Sequence, residues 1–184
     1  KVDLSNIHRQ SLYNIKDLKK SKVKVAKIKL KKINYQTKVD CYHLRLNKKN
    51  QKKIIQKYDY VVDGSDNFET KFLISDICKK SKKFLVTGAI NKFDGHIFTF
   101  DFKKKNTPCI RSFYQEKNIS NDILNCEYSG ILGSVAGTIG TIQSNEILKK
   151  ILNIGNDLNG HVLIIDLLNL KFRKVKYKKL KISN

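Results

Sequence analysis

The sequence contains no tryptophan, no methionine and a single proline, Pro108, and its four cysteines form no C-x-x-C pair. Cys41, Cys78, Cys109 and Cys126 are far apart in a chain too long to need stapling, so a disulfide scaffold is excluded and a reducing, cytoplasmic setting is expected. No apolar run approaches the roughly 20 residues that cross a bilayer, so no membrane role is expected. No secretory signal is visible. The chain starts at Lys1 and not at a methionine, so a segment upstream is expected.

What is present is a basic chain able to bury one core. With 184 residues and 40% hydrophobic content, a single domain over residues 1–184 is expected. The formal charge of +22 ordinarily suggests nucleic acid or another anionic surface. The lysines, however, are scattered along the chain and fall on the outward faces of the expected helices. That is the pattern of a solvated surface and not of a phosphate-binding face.

The order of elements indicates an α/β protein. "SKVKVAKIKLKKIN" places Val23, Ala26, Leu30 and Ile33 near helical spacing among lysines, and reads as an amphipathic helix. "TKVDCYHLRL" alternates and reads as a strand, while "KKNQKKIIQKY" reads as a short polar helix. "YDYVVDGSDN" is a strand ending in a polar turn, and "NFETKFLISDICKKSK" is a helix in which Cys78 takes a core position. "FLVTGAI" is nearly continuous in apolar residues, as in a strand covered on both faces. Strand, helix and strand with short connections imply a parallel pairing. "GHIFTFDF" reads as an added strand whose neighbours need not be parallel. Residues 103–128 read as a long loop, the following glycine-rich segment as a long helix, and "GHVLIIDLLNLKFRKVKY" as a strand or hairpin.

Three segments invite chemistry. In "VVDGSDN", residues 63–67 fall beyond the carboxyl end of a strand, where open α/β sheets place their ligands. Asp66 there either caps the next helix or holds a metal ion beside phosphates. Gly133, Gly137 and Gly140 leave one helical face bare, at a cost of about 1 kcal/mol each, which suggests close helix packing within the subunit or across a dimer. Cys126 precedes that helix and is either an ordinary loop cysteine or a thiol activated by a helix N-terminus.

Taken in order, "VDLSNIHRQ", Lys22 at a helix start, "YDYVVDGSDNFETKFLISDIC", "FLVTGAINKFDGHIFTF", "PCIR" and "GILGSVAGTIGTIQSNEILK" resemble the ThiF/MoeB/HesA family of adenylyltransferases, relatives of the ubiquitin-activating enzymes. The resemblance runs over almost the whole chain. It implies a Rossmann-like, mostly parallel sheet flanked by helices, with antiparallel strands added in the C-terminal half. It also implies use of ATP and Mg2+ to adenylate the C-terminal glycine of a ubiquitin-like sulfur carrier of the MoaD or ThiS kind, for molybdopterin, thiamine or related sulfur transfer, by a homodimer.

Matched residue by residue, Arg9 is the family's phosphate-contacting arginine and Asn6 a nucleotide contact in the same motif. Lys22 is the lysine that neutralises phosphate charge. Asp66 is the aspartate associated with magnesium, with Asn67 beside it at the nucleotide. Cys126 aligns with the cysteine that joins covalently to the carrier in some members. The chemistry suits these roles, because attack of a carboxylate on the α-phosphorus brings anions together and needs cations fixed beforehand.

The departures from the family pattern are as specific. The glycine-rich phosphate loop, its strand and the acidic ribose-binding residue belong before Lys1, as does a second arginine. This 184-residue chain alone is therefore expected to be inactive and poorly soluble. Where many members bind zinc through two C-x-x-C pairs, "PCIRS" keeps Cys109 but has Ser112, so no zinc is expected. Two other readings stay open: a carrier-binding or dimerisation module with a degraded nucleotide site, and a basic nucleic-acid-binding protein.

Overall fold

The computed structural model describes residues 1–114 and 130–178; Cys126 lies outside them. The chain divides into two units, Lys1–Arg45 with Leu132–Ser134, and Leu46–Ile131 with Val135–Asn184. In the first, Asp3 caps the short helix α1 (Leu4–Ile7) by accepting from the Ser5 amide at 2.9 Å. Val2 is buried and held by backbone hydrogen bonds to Lys19 and Lys20. Helix α2 (Lys22–Ile33) forms over the lysine-rich segment as expected, and Lys29 pairs with Asp17.

Two expectations for this region are corrected. Val25 is the buried residue of α2, whereas Leu30 and Ile33, at 41% and 79% exposure, face outward. Residues 37–46 alternate like a strand but take no place in a ladder among the described residues. Alternation marks a chain able to pair; without a neighbouring strand to complete its hydrogen bonds it remains irregular.

The second unit starts with α3 (Gln51–Ile55), a polar turn of helix anchored by buried Ile55. Strand β1 (Tyr60–Asp63), helix α4 (Phe68–Lys80) and strand β2 (Phe84–Asn91) follow, with β1 and β2 parallel. Strand β3 (Asp94–Asp101) returns antiparallel beside β2 through a tight turn. Helix α5 (Gly133–Leu152) leads to β4 (His161–Asp166) and β5 (Lys171–Lys176), and the sheet runs β1-β2-β3-β4-β5. Its last three pairings are antiparallel.

The continuous apolar run of β2 is explained by cover on both faces. Leu85 packs with Phe98, Phe100 and the α4 residues Phe72, Ile77 and Cys78. Phe84 and Val86 point the other way, to Ile97, Ile165 and the α5 residues Val135 and Ile139.

Glycine enables the approach of α5 to the sheet, but from the strands. A Cβ on Gly88 would meet Ile139 Cγ2 at 2.9 Å, and one on Gly95 would collide with Ile139 outright. Among the described residues nothing lies within 4 Å of a Cβ on Gly137 or Gly140, so of the two expectations for them close packing within the subunit is not met there, and packing across a dimer stays open. Gly133, which belongs with His8 to the first unit, is the exception: a Cβ there would meet the His8 carbonyl at 2.6 Å.

Candidate functional site

In the first unit, α1 is too short to bury anything and serves to fold its polar side chains together. Arg9 donates to the Ser5 carbonyl at 2.9 Å and to Asn6 Oδ1 at 3.2 Å. Gln10 reaches the same Asn6 oxygen at 3.4 Å, and Asn6 donates to Ser5 Oγ at 2.9 Å. The guanidinium is thus held in one orientation with its side chain half-buried. A planar fork fixed in advance suits recognition of phosphate oxygens. Lys22 is the first residue of α2, half-buried, and its carbonyl accepts from the Tyr13 hydroxyl at 3.3 Å.

In the second unit, the turn after β1 has an unusual foundation. Asp63 is 2% exposed. Its Oδ1 accepts from the Ser65 amide at 2.8 Å and the Ser65 hydroxyl at 2.6 Å. Its Oδ2 accepts from Thr87 Oγ1 at 2.6 Å and Lys71 Nζ at 3.2 Å. Lys71, 3% exposed, also donates to the Gly88 carbonyl, and Gln143 donates to the Asp63 carbonyl at 2.9 Å. The carboxylate therefore joins β1, β2, α4 and its own turn in a network with every charge paired.

Asp66 projects from that turn into solvent. The cap of α4 is Asn67, whose Oδ1 accepts from the Thr70 amide at 2.9 Å. The capping reading of Asp66 is thereby corrected: its carboxylate accepts from Asn67 Nδ2 at 3.2 Å and faces water beyond the end of β1.

Beside α4 opens a cleft of about 170 Å³ lined by Phe68, Ala89, Ile90, His96 and Tyr114, with Asn91 and Asp94 at polar positions. His96 Nδ1 is hydrogen-bonded to the Tyr114 hydroxyl, and the ring stacks on Tyr114. Burial pushes the His96 pKa below its ordinary value, so the imidazole is neutral near pH 7. Neither this pair nor the Asp63–Lys71 pair was found from the sequence. Lysine eight residues from aspartate looks like ordinary surface charge, and the only available signal was an unexplained Lys71 on the apolar face of α4.

The remaining candidates divide clearly. Cys78 is fully buried, and burial, with Asp63 nearby, pushes its thiol up to about 12, so it stays protonated. Cys109 is buried with its sulfur 4.0 Å from Ser112 Oγ. Arg111 of the PCIR segment pairs with Asp76 at 2.8 Å and lies over the Phe72 ring, which makes it a staple to α4. Arg9, Asn6 and Lys22 fall in one unit and Asp66 and Asn67 in the other.

Comparison with known proteins decides the family. Residues 1–183 match the ThiF family. The chain belongs to the ThiF family. Among relatives of this ThiF-family chain, a probable molybdopterin-synthase adenylyltransferase of Gracilaria tenuistipitata is 39% identical over 176 residues, covering 96% of this chain and 49% of the relative. A sulfur carrier protein adenylyltransferase of Thermus thermophilus is 36% identical over 178 residues, covering 95% and 66%. An adenylyltransferase and sulfurtransferase MOCS3 of Drosophila virilis is 37% identical over 175 residues, covering 95% and 38%. The chain therefore spans about half the length of the first of these relatives. The crystal structure of E. coli MccB with ATP superposes with a TM-score of 0.78 at 16% identity, over 100% of this chain and 56% of MccB. That likeness establishes the Rossmann-like α/β fold of the family.

Proposed function

We propose that this chain is part of an enzyme that uses ATP to adenylate the C-terminal glycine carboxylate of a ubiquitin-like sulfur-carrier protein. A carrier oxygen attacks the α-phosphorus, the bond to the β-phosphate oxygen breaks, and acyl-adenylate and pyrophosphate result. No side-chain nucleophile is required. The chain's contribution is charge placed in advance: Arg9 and Lys22 contact phosphate, Asn6 and Asn67 contact the nucleotide, and Asp66 offers a carboxylate.

The observation that carries this reading is Asp66 itself, released from helix capping by Asn67 and exposed beyond a strand's carboxyl end in a ThiF-family chain. Among the described residues no cluster of three or more metal-ligating side chains exists. A lone carboxylate nevertheless fits magnesium, which is commonly held by one or two carboxylates plus substrate phosphates. Mg2+ bound at Asp66 would neutralise phosphate charge.

Relatives named as probable molybdopterin-synthase adenylyltransferases support a carrier of the molybdopterin type. A homodimer in the cytoplasm completes the proposal, with Cys126 as the candidate thiol for a later sulfur-transfer step. The test is to incubate the full-length protein with ATP, magnesium and a carrier ending in glycine, then follow the carrier by mass spectrometry. A carrier heavier by one AMP moiety, lost when the terminal glycine is deleted, supports the proposal. An unmodified carrier, bound but not adenylated, would favour a non-catalytic binding module.

A further inference from the structure

We propose that Lys71 is a positioning residue: with Asp63 it forms a buried clamp that holds the turn carrying Asp66 in one conformation. This rests on the adenylation reading for its catalytic consequence, but not for its structural one.

The turn has few other restraints. Gly64 has open space on its Cβ side and Asp66 is exposed, so the chain between β1 and α4 gains little from packing. On the α4 side Asn67 ties the turn to the helix as its cap; on the β1 side the fixed point is Ser65, gripped through both amide and hydroxyl by Asp63 Oδ1. That oxygen is aimed only because the opposite one, Oδ2, is held by Lys71 and Thr87. Lys71 is in turn fixed by the Gly88 carbonyl on β2, and Gln143 of α5 secures the Asp63 backbone. The orientation of the Asp66 turn is thus set by groups on the sheet and two helices.

A buried ion pair is a costly way to obtain stability alone, since hydrophobic residues of equal volume often serve as well. A carboxylate that must accept from a turn amide cannot be replaced in that way. Arginine at position 71 would keep the charge and a donor to Asp63; methionine would keep only the bulk.

The experiment compares Lys71→Met, Lys71→Arg and the milder Thr87→Val in the full-length protein. Two quantities are read: hydrogen exchange at the Ser65 amide, and kcat and KM for ATP in carrier-dependent ATP–pyrophosphate exchange. In Lys71→Met, Ser65 protection should fall at least tenfold while β3 and α5 amides stay protected. Its kcat should fall about tenfold with KM for ATP little changed, and Lys71→Arg should restore both in part. If Lys71→Met does not fold, Thr87→Val should show the same pair of changes more weakly. Unchanged Ser65 protection in a folded variant would overturn the clamp, whatever the activity. A wild-type protein with no exchange activity would overturn the adenylation reading instead, leaving Ser65 protection to decide the clamp.

Discussion

Gly95 of β3 lies against Ile139 of α5 with no room between them for a methyl group. Ile139 is 1% exposed and Gly88 crowds it from the neighbouring strand, so it has nowhere to retreat. Gly95→Ala should destabilise the protein by about 1–3 kcal/mol, the usual range for overpacking a filled core. Urea unfolding measures this, and a change within about 0.5 kcal/mol of zero would mean that α5 moves freely over the sheet.

Gly137 predicts the opposite sign. Its Cβ direction is open and it lies inside α5, so Gly137→Ala should stabilise the helix by up to about 1 kcal/mol. The same unfolding experiment, paired with sedimentation, decides it. Lower stability with loss of a dimer would show that a second copy packs its backbone on this face.

These two glycines also mark what the sequence could and could not disclose. The spacing of Gly133, Gly137 and Gly140 suggests close packing along α5, yet of these only Gly133 makes a tight approach; the sheet comes close to Ile139 through Gly88 and Gly95, which sit opposite Ile97 and Ile90 and reach one side chain because β2 and β3 pair. The both-face burial of β2 was legible because a covered strand needs an uninterrupted apolar run. Asp66 and Asn67 are adjacent and chemically equivalent as caps, so only their geometry separates the cap from the exposed carboxylate. The buried Asp63–Lys71 pair and the irregular path of residues 37–46 are not legible in the sequence for one reason: groups on other elements, Thr87 and Gly88 of β2 in the first case and a missing neighbour strand among the described residues in the second, decide whether a charge is buried or an alternating segment becomes a strand.

His96 gives a pH signature. Its pKa is lowered in the folded state, so the unfolded chain binds the proton more readily. Stability is full above the unfolded value of about 6.5 and falls as pH drops from there towards the lower folded value. Melting temperatures from pH 7.5 to 5.5 should therefore decline, and His96→Gln should flatten that decline. An equal slope in the variant would assign the effect to other groups.

Cys78 should resist thiol reagents. With the pKa raised to about 12 and no exposure, mass mapping of native protein at pH 8 should find it unmodified, and denaturant should expose it. Labelling of Cys78 in the native state would contradict its place on the face of α4 that packs against the sheet. For the candidate sulfur-transfer thiol, Cys126→Ser should leave pyrophosphate exchange intact and reduce sulfur transfer in a reconstituted system. Unchanged transfer would remove Cys126 from the sulfur-transfer step.

Adenylation is tested most directly by carrier-dependent ATP–pyrophosphate exchange in the full-length protein, comparing wild type with Arg9→Ala, Lys22→Ala and Asp66→Asn. Each side chain is half-buried or exposed, so none of the substitutions should disturb the fold. Arg9→Ala and Lys22→Ala should each lose about 10²-fold or more, as removal of one preorganised charge-stabilising group often does. Asp66→Asn should lose magnesium-dependent turnover with an unchanged melting temperature. Wild-type exchange rates in all three variants would contradict the assignment.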